Sequence, residues 1–265
     1  MSIPPNANYL ESIRLFELRL ILEYLKDIAP ERARILEVGA GTGWQARELA
    51  THGYQVSAID IPTSNHSHAR VWEVIDFDGR YIPFEDHTFD IIYSSNVIEH
   101  VEDLNTLNHE FHRVLKTTGF VFHYVPTSSW RAWSLLAFYP SLLLDVFRRI
   151  YRPTRGTSNI NNSNFQSSKT NSCTWKCMLT KLYRRLIPHT HGSSGLCLTE
   201  LYRYRRTTWL DYFQSADWIV INYTCNRLFL TGEMLFGRHL SIHARAKLSK
   251  LFGSTAHFFI LKSKI

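Results

Sequence analysis

Ile35-Leu36-Glu37-Val38-Gly39-Ala40-Gly41-Thr42-Gly43 reads as an apolar strand that runs into three alternate glycines just where a helix begins. Glycine suits that turn because the backbone must bend sharply and let a ligand approach to van der Waals distance, which a Cβ would obstruct. Nucleotide-binding folds of several chemistries use such a turn. A dinucleotide fingerprint would place its third glycine at position 44, where Trp44 stands, and the Lys-Ser/Thr ending of a Walker loop is absent. A pyrophosphate cradle is therefore disfavoured. Asp60, at the carboxyl end of the next strand and about twenty residues beyond the glycines, can accept hydrogen bonds from both hydroxyls of a ribose. The turn and Asp60 together specify an adenosine-type ligand.

Outward from the turn, the chain alternates between strand and helix periods. Leu10, Ile13, Leu18, Ile21 and Leu25 recur at helical spacing and stop before Pro30, which predicts a leading scaffold helix. Ala33 to Val38, Trp44 to Thr51 and Gln55 to Ile59 form a first strand-helix-strand unit. Further strands are predicted at Trp72 to Ile75, Phe89 to Ser94 and Phe120 to Val125, with a helix from about Leu104 to Lys116. This alternation predicts an α/β class, a Rossmann-like doubly wound and mostly parallel sheet. After Val125 the rhythm breaks. Trp130 to Tyr151 is apolar and aromatic, interrupted by Pro140 and Asp145, and residues 153–172 are dominated by Ser, Asn and Thr, as in a mobile linker or lid. A basic helix around Trp175 to Leu186, a helix from Thr199 to Phe213, a strand from Trp218, a helical stretch near Leu240 to Leu251 and a final strand, Ala256 to Leu261, complete the reading. The expected division is an N-terminal helical extension at 1–30, a ligand-binding core at 31–128, a basic and apolar insertion at 129–200 and a completion of the core sheet at 201–265.

At this point the chain resembles the class I S-adenosylmethionine-dependent methyltransferase superfamily, and in particular its methyltransferase-11-like branch. ILEVGAGTG is similar to the first motif of that family and SAID to the acidic end of its second strand; FDGRYIPFEDHTFDIIYSSNVIEHVED and HEFHRVLKTTGFVFHYVP continue the likeness to about residue 126. The resemblance implies S-adenosylmethionine as cofactor. Gly39, Gly41 and Gly43 would line its methionine and ribose side, with Ala40 and Ile61 among the contacts, and Glu37 would face its amino group directly or through water. Asp60 would hold the ribose diol. Asp78 would accept the adenine amino group beside the Gly79 backbone, and Ser95 and Asn96 would floor the pocket. Residue chemistry leaves alternatives open: Asp78 starting a D-G turn, Asp76 in its place, or Glu37 as a strand-end anion. The resemblance also implies a seven-stranded sheet closed by an antiparallel last strand, with a helical insertion after the fifth. One departure is the short segment IPTSNHSHARVWE after Asp60, where the family usually places a helix.

Methyl transfer from a sulfonium chiefly needs alignment of donor and acceptor, with a base where the acceptor is a hydroxyl. His100 at the start of the helix after the fourth strand, and His189 and His191 in PHTHG, are the candidate catalytic bases. His189, His191 and Glu200 match no compact metal-ligand spacing, so no metal is expected. The four cysteines all lie in the second half and read as reduced structural thiols.

The 265 residues are 45% apolar and 20% charged, which excludes wholesale disorder. Charge is split: residues 1–128 carry 10 Lys and Arg against 18 Asp and Glu, whereas 129–265 carry 20 against 5. Such a basic half points to an anionic partner: a phosphorylated or pyrophosphate-linked substrate, an acidic membrane face or nucleic acid. The aromatic stretch from Trp130 to Phe147, followed by Arg148, Arg149, Arg152 and Arg155, is too broken to span a bilayer and reads as an interfacial helix, a lid over a lipidic acceptor or a cap packed on the core. Tyr202-Arg203-Tyr204-Arg205-Arg206 offers phosphate and ring contacts, or simply a solvated helix face. The N-terminus lacks the pattern of a secretory signal, so a cytoplasmic protein is expected, with peripheral contact at the inner membrane face. The expected activity is O-methylation of a glycan or of a phosphorylated or lipid-linked small molecule. The rivals are an RNA methyltransferase, although the D/N-P-P-Y/F sequence used on base amines is absent after the fourth strand, and a silent cofactor-binding scaffold at a membrane.

Overall fold

A computed structural model describes residues 9–150, 188, 190–192, 196–231 and 239–264. Among these, seven strands form one sheet in the order β3-β2-β1-β4-β5-β7-β6. The chain runs α1 (Tyr9–Ile28), β1 (Arg34–Val38), α2 (Trp44–Thr51), β2 (Gln55–Asp60), β3 (Ile75–Asp76), β4 (Phe89–Ser95), α3 (Leu104–Val114), β5 (Leu115–Pro126), α4 (Ser128–Ile150), α5 (Thr199–Arg203), α6 (Arg206–Ser215), β6 (Trp218–Cys225), α7 (Ile242–Phe252) and β7 (Ala256–Ser263). Strands β1 to β5 pair in parallel, and β7 lies antiparallel between β5 and β6. This is the expected α/β, doubly wound, mostly parallel architecture, with the strand order reversing between β1 and β4.

The central strands read as continuous apolar runs because both their faces are covered. Successive residues go to opposite sides: Leu36 and Ile92 join a core with Leu107 and Phe111 of α3 and Phe213 of α6. Ile35, Ile91 and Tyr93 join another with Leu18, Ile21 and Leu25 of α1 and Leu49 of α2. Helix α3 starts where it does because Asp103 caps it, accepting the Thr106 N–H at 3.2 Å.

Several elements differ from expectation. The Glu-His turn does not open α3; Ile98–His100 is a separate 3-10 turn, and the helix begins four residues after His100. Helix α4 passes through Pro140 unbroken to Ile150. Proline removes the N–H that would bond the carbonyl of Leu136, and Leu136 lies on the exposed side of the helix. The helix expected over Thr199 to Phe213 is two, α5 and α6, because the Tyr204 carbonyl is taken by the Ser128 N–H (3.2 Å) and by His257 Nε2 (3.1 Å). Tyr204 is thereby buried, and the Tyr202 to Arg206 run straddles a break and is no uniform solvated face. Strand β3 is only Ile75–Asp76 and β5 begins at Leu115. The polar stretch 153–172 and the basic helix near Trp175 to Leu186 lie outside the described residues, and no described helix is long and apolar enough to cross a membrane.

Candidate active site

The glycine turn lies at the carboxyl ends of β1, β2 and β4, the switch point of the strand order, where open α/β sheets form a crevice. Gly39, Gly41 and Gly43 hold φ of 72°, 57° and 74°, a backbone region that side chains resist. A Cβ on Gly39 would collide with Val97, and one on Gly43 would come to 2.7 Å from Trp72 Cβ and 2.9 Å from Val74. At Gly41 the nearest atoms belong to His66, at 3.6 Å, so this position faces the open cleft.

Asp60 fastens the turn. Its Oδ2 accepts the Gly41 N–H and its Oδ1 the Ile61 N–H, each at 2.8 Å. A carboxylate has about four acceptor sites, so each oxygen keeps capacity for a ligand hydroxyl. The turn is further tied to β2 by the Gly39 and Ala40 N–H groups donating to the Ile59 carbonyl at 2.9 and 3.1 Å.

A cleft of ≈ 710 Å³ opens here. Of the expected cofactor residues, Gly39, Gly41, Asp60, Ile61, Asp78, Gly79 and Asn96 line it. Ala40 and Gly43 sit behind the wall: Ala40 is buried with Ala46 and Ala58, and Gly43 packs on Trp72. Ser95 is likewise behind, its hydroxyl accepting from Arg14 at 3.2 Å. Asp78 does form the D-G turn, its Oδ1 accepting the Arg80 and Tyr81 N–H groups at 2.8 and 2.7 Å; those bonds hold its carboxyl below the usual range while Asp78 still faces the cleft. Asp76 instead pairs with Arg70 at 2.5 Å. Where the family places a helix after Asp60, residues 61–69 form a loop ending in a 3-10 turn, and Thr63 to His66 supply that wall.

Glu37 is buried beneath the turn. Burial pushes its carboxyl up to about 8, against the Ala46 N–H that favours the anion, and one of its oxygens has no partner. His100 lines the far end of the cleft and His191 stands against it, ring centroids 4.7 Å apart. Burial holds both imidazoles below their ordinary range, His191 at about 4. His189 lies outside the described residues. Glu200 does not join a metal set with His191: it forms a buried ion pair with Arg131 at 2.6 Å and accepts the His191 and Gly192 N–H groups at 2.6 and 2.7 Å.

Two residues that the sequence did not single out enter the site. Arg14 of α1 reaches the Ser95 hydroxyl, next in the chain to Asn96, while pairing with buried Glu17 at 2.8 Å, so α1 is more than scaffold. The signal was there: Arg14 and Glu17 sit within the apolar stripe of α1, between Ile13 and Leu18. Glu99, beside His100, is fully buried in its side chain.

A glycine cradle held at positive φ, open to the cleft at Gly41, and a strand-end carboxylate with spare acceptor capacity fit the adenosyl and methionine parts of S-adenosylmethionine. Residues 36–123 match the methyltransferase domain family. The glycine/sarcosine/dimethylglycine N-methyltransferase of Actinopolyspora halophila is 33% identical over 114 residues, covering 39% of this chain and 20% of that protein. The ubiquinone biosynthesis O-methyltransferase of Bartonella tribocorum is 28% identical over 127 residues, covering 43% of this chain and 51% of that protein. The chain thus spans between a fifth and about half of these relatives, and they differ in the atom they methylate. The crystal structure of the PH0226 protein of Pyrococcus horikoshii shares the fold, with TM-score 0.51 and 17% identity over 98% of this chain and 93% of that one. The domain match, the sheet order and the cleft agree: residues 36–123 are similar to the methyltransferase domain family, in a fold like that of the class I S-adenosylmethionine-dependent methyltransferases.

Proposed function

We propose that this protein methylates an oxygen of an anionic acceptor, a glycan or a phosphorylated or lipid-linked small molecule, using S-adenosylmethionine. The observation that carries the reading is the single cleft that runs from Asp60 and Asp78 to His100. The cofactor supplies an already activated methyl group, so the chain's part is to bind, align and manage a proton. Gly39, Gly41 and Asp60 hold the ribose and methionine side, with Asp78 and Gly79 toward the adenine. His100, kept neutral by its surroundings, can accept the proton of an acceptor hydroxyl, and His191 buttresses it.

The acceptor side draws on the second half. Insertion 129–200 contributes α4, and its basic character favours an anionic acceptor. Leu136, Tyr139, Leu143 and Phe147 form an exposed apolar stripe on α4, which suits a lipidic tail or an anionic leaflet.

The test is calorimetry with S-adenosylmethionine on the wild type and on Asp60→Ala, followed by detection of S-adenosylhomocysteine over phosphorylated and lipid-linked acceptors. Binding is expected in the wild type and lost in a folded Asp60→Ala. Cofactor binding with no product over any acceptor would replace this reading with that of a silent scaffold.

A further inference from the structure

Behind the far end of the cleft, three side chains of metal-ligating type converge that lie 92 positions apart at the extremes. Glu99 and His100 come from the turn after β4, and His191 from the second half. Each histidine Nε2 stands 3.8 Å from Glu99 Oε1, and the three ligand atoms lie within 4.8 Å of one another.

That spacing is too long for hydrogen bonds and does not satisfy the carboxylate. Neither oxygen of Glu99 has a hydrogen-bond partner, although its side chain is fully buried. A buried carboxylate left in that state is costly, and is ordinarily paired or bound to a metal. The nearby guanidiniums are committed elsewhere: Arg14 to Glu17 and Ser95, Arg131 to Glu200.

We propose that Glu99, His100 and His191 hold a divalent transition-metal ion, open on its cleft side to an oxygen of the acceptor. Metal bonds of about 2.1 Å at a tetrahedral angle place ligand atoms roughly 3.4 Å apart, shorter than the 3.8 Å from Glu99 to each histidine and the 4.8 Å bound of the set, so small side-chain shifts would draw the three onto an ion. Two imidazoles and one carboxylate suit zinc, cobalt, manganese or iron better than magnesium or calcium. The surroundings hold the ligand in place: the backbone N–H of His191 donates to Glu200, which Arg131 anchors to α4, and Trp130 packs edge-on against the His191 ring at 4.6 Å. His100 is 43% exposed in its side chain and borders the cleft, which gives an ion a way in and an acceptor a way to reach it. With an ion bound, His100 is a ligand and the ion, not the imidazole, would favour loss of the acceptor's hydroxyl proton; this acceptor contact rests on the proposed function, whereas the metal site does not.

The test uses the full chain, stripped with chelator and titrated with cobalt(II), reading the visible absorption of nitrogen-ligated cobalt. One equivalent is expected, displaced by zinc. Glu99→Gln and His191→Ala should each weaken binding about tenfold or more, and His100→Ala, at the most exposed of the three positions, serves if a buried variant fails to fold. Calorimetry with S-adenosylmethionine on the same samples separates the two ideas: unchanged cofactor affinity in the variants is expected. Less than one equivalent in the wild type, or equal affinity in every folded variant, overturns the metal site. Cobalt uptake in a protein that binds no S-adenosylmethionine would uphold the metal site and overturn the cofactor cleft.

Discussion

Alanine at Gly41 and at Gly43 should separate stability from binding. At Gly41 an alanine must hold φ near 57°, which costs about 1–2 kcal/mol, and its methyl meets only His66 at an ordinary 3.6 Å. At Gly43 the same strain is joined by a methyl forced to 2.7 Å from Trp72 Cβ, an overpacking worth about 1–3 kcal/mol more. With about 2–4 °C per kcal/mol in a chain of this size, Gly41→Ala should lower Tm by roughly 2–8 °C and Gly43→Ala by roughly 4–20 °C. Binding should follow a different pattern. Gly41 faces the cleft, so Gly41→Ala should weaken S-adenosylmethionine more than tenfold, about 1.4 kcal/mol, in a protein that still folds. Thermal unfolding followed by tryptophan fluorescence, with calorimetry on the same preparation, reads both. Wild-type affinity in folded Gly41→Ala would refute the placement of the cofactor against this turn, and a Gly43→Ala more stable than Gly41→Ala would refute the packing argued for Trp72.

Two further expectations follow from buried carboxylates. Glu37 has its folded pKa raised from 4.5 to about 8, so the folded state binds the extra proton between those values and stability should fall as pH rises through that window. Glu37→Gln should flatten that part of a stability profile measured by urea unfolding; an identical slope would assign the dependence to other groups. Glu200→Gln leaves buried Arg131 without its counter-charge, a loss of about 3–5 kcal/mol, and should also release His191, read as changed histidine resonances by NMR. A stability loss under about 1 kcal/mol would mean that the pair is not held as described.

What the sequence made legible was local. The turn at 39–43, α2, β4 and α3 were readable because glycine spacing and apolar period act over a few residues. The missed features depend on distant partners. Trp72 was expected in a strand, but it fills the space behind Gly43, and the Val71 N–H bonds the Thr42 carbonyl at 2.8 Å, so the segment docks on the turn and pairing waits until Ile75. Lys116 to Gly119 resemble a loop, yet Leu115 already pairs with Phe89 across an irregular register. No spacing rule joins Glu99 to His191, because Arg131 and Glu200 do so through an ion pair between α4 and α5.

The position of β7 has a consequence for synthesis. Among the described residues, strand β6 pairs with β7 alone, and β5 keeps one flank unpaired until β7 arrives between them. On the ribosome, residues 218–225 therefore emerge before the segment that seats them, leaving two ribbon edges open to association with other chains. A nascent polypeptide halted before residue 256 should recruit chaperones and resist compaction, whereas release of the next eight residues should close the sheet in one cooperative event.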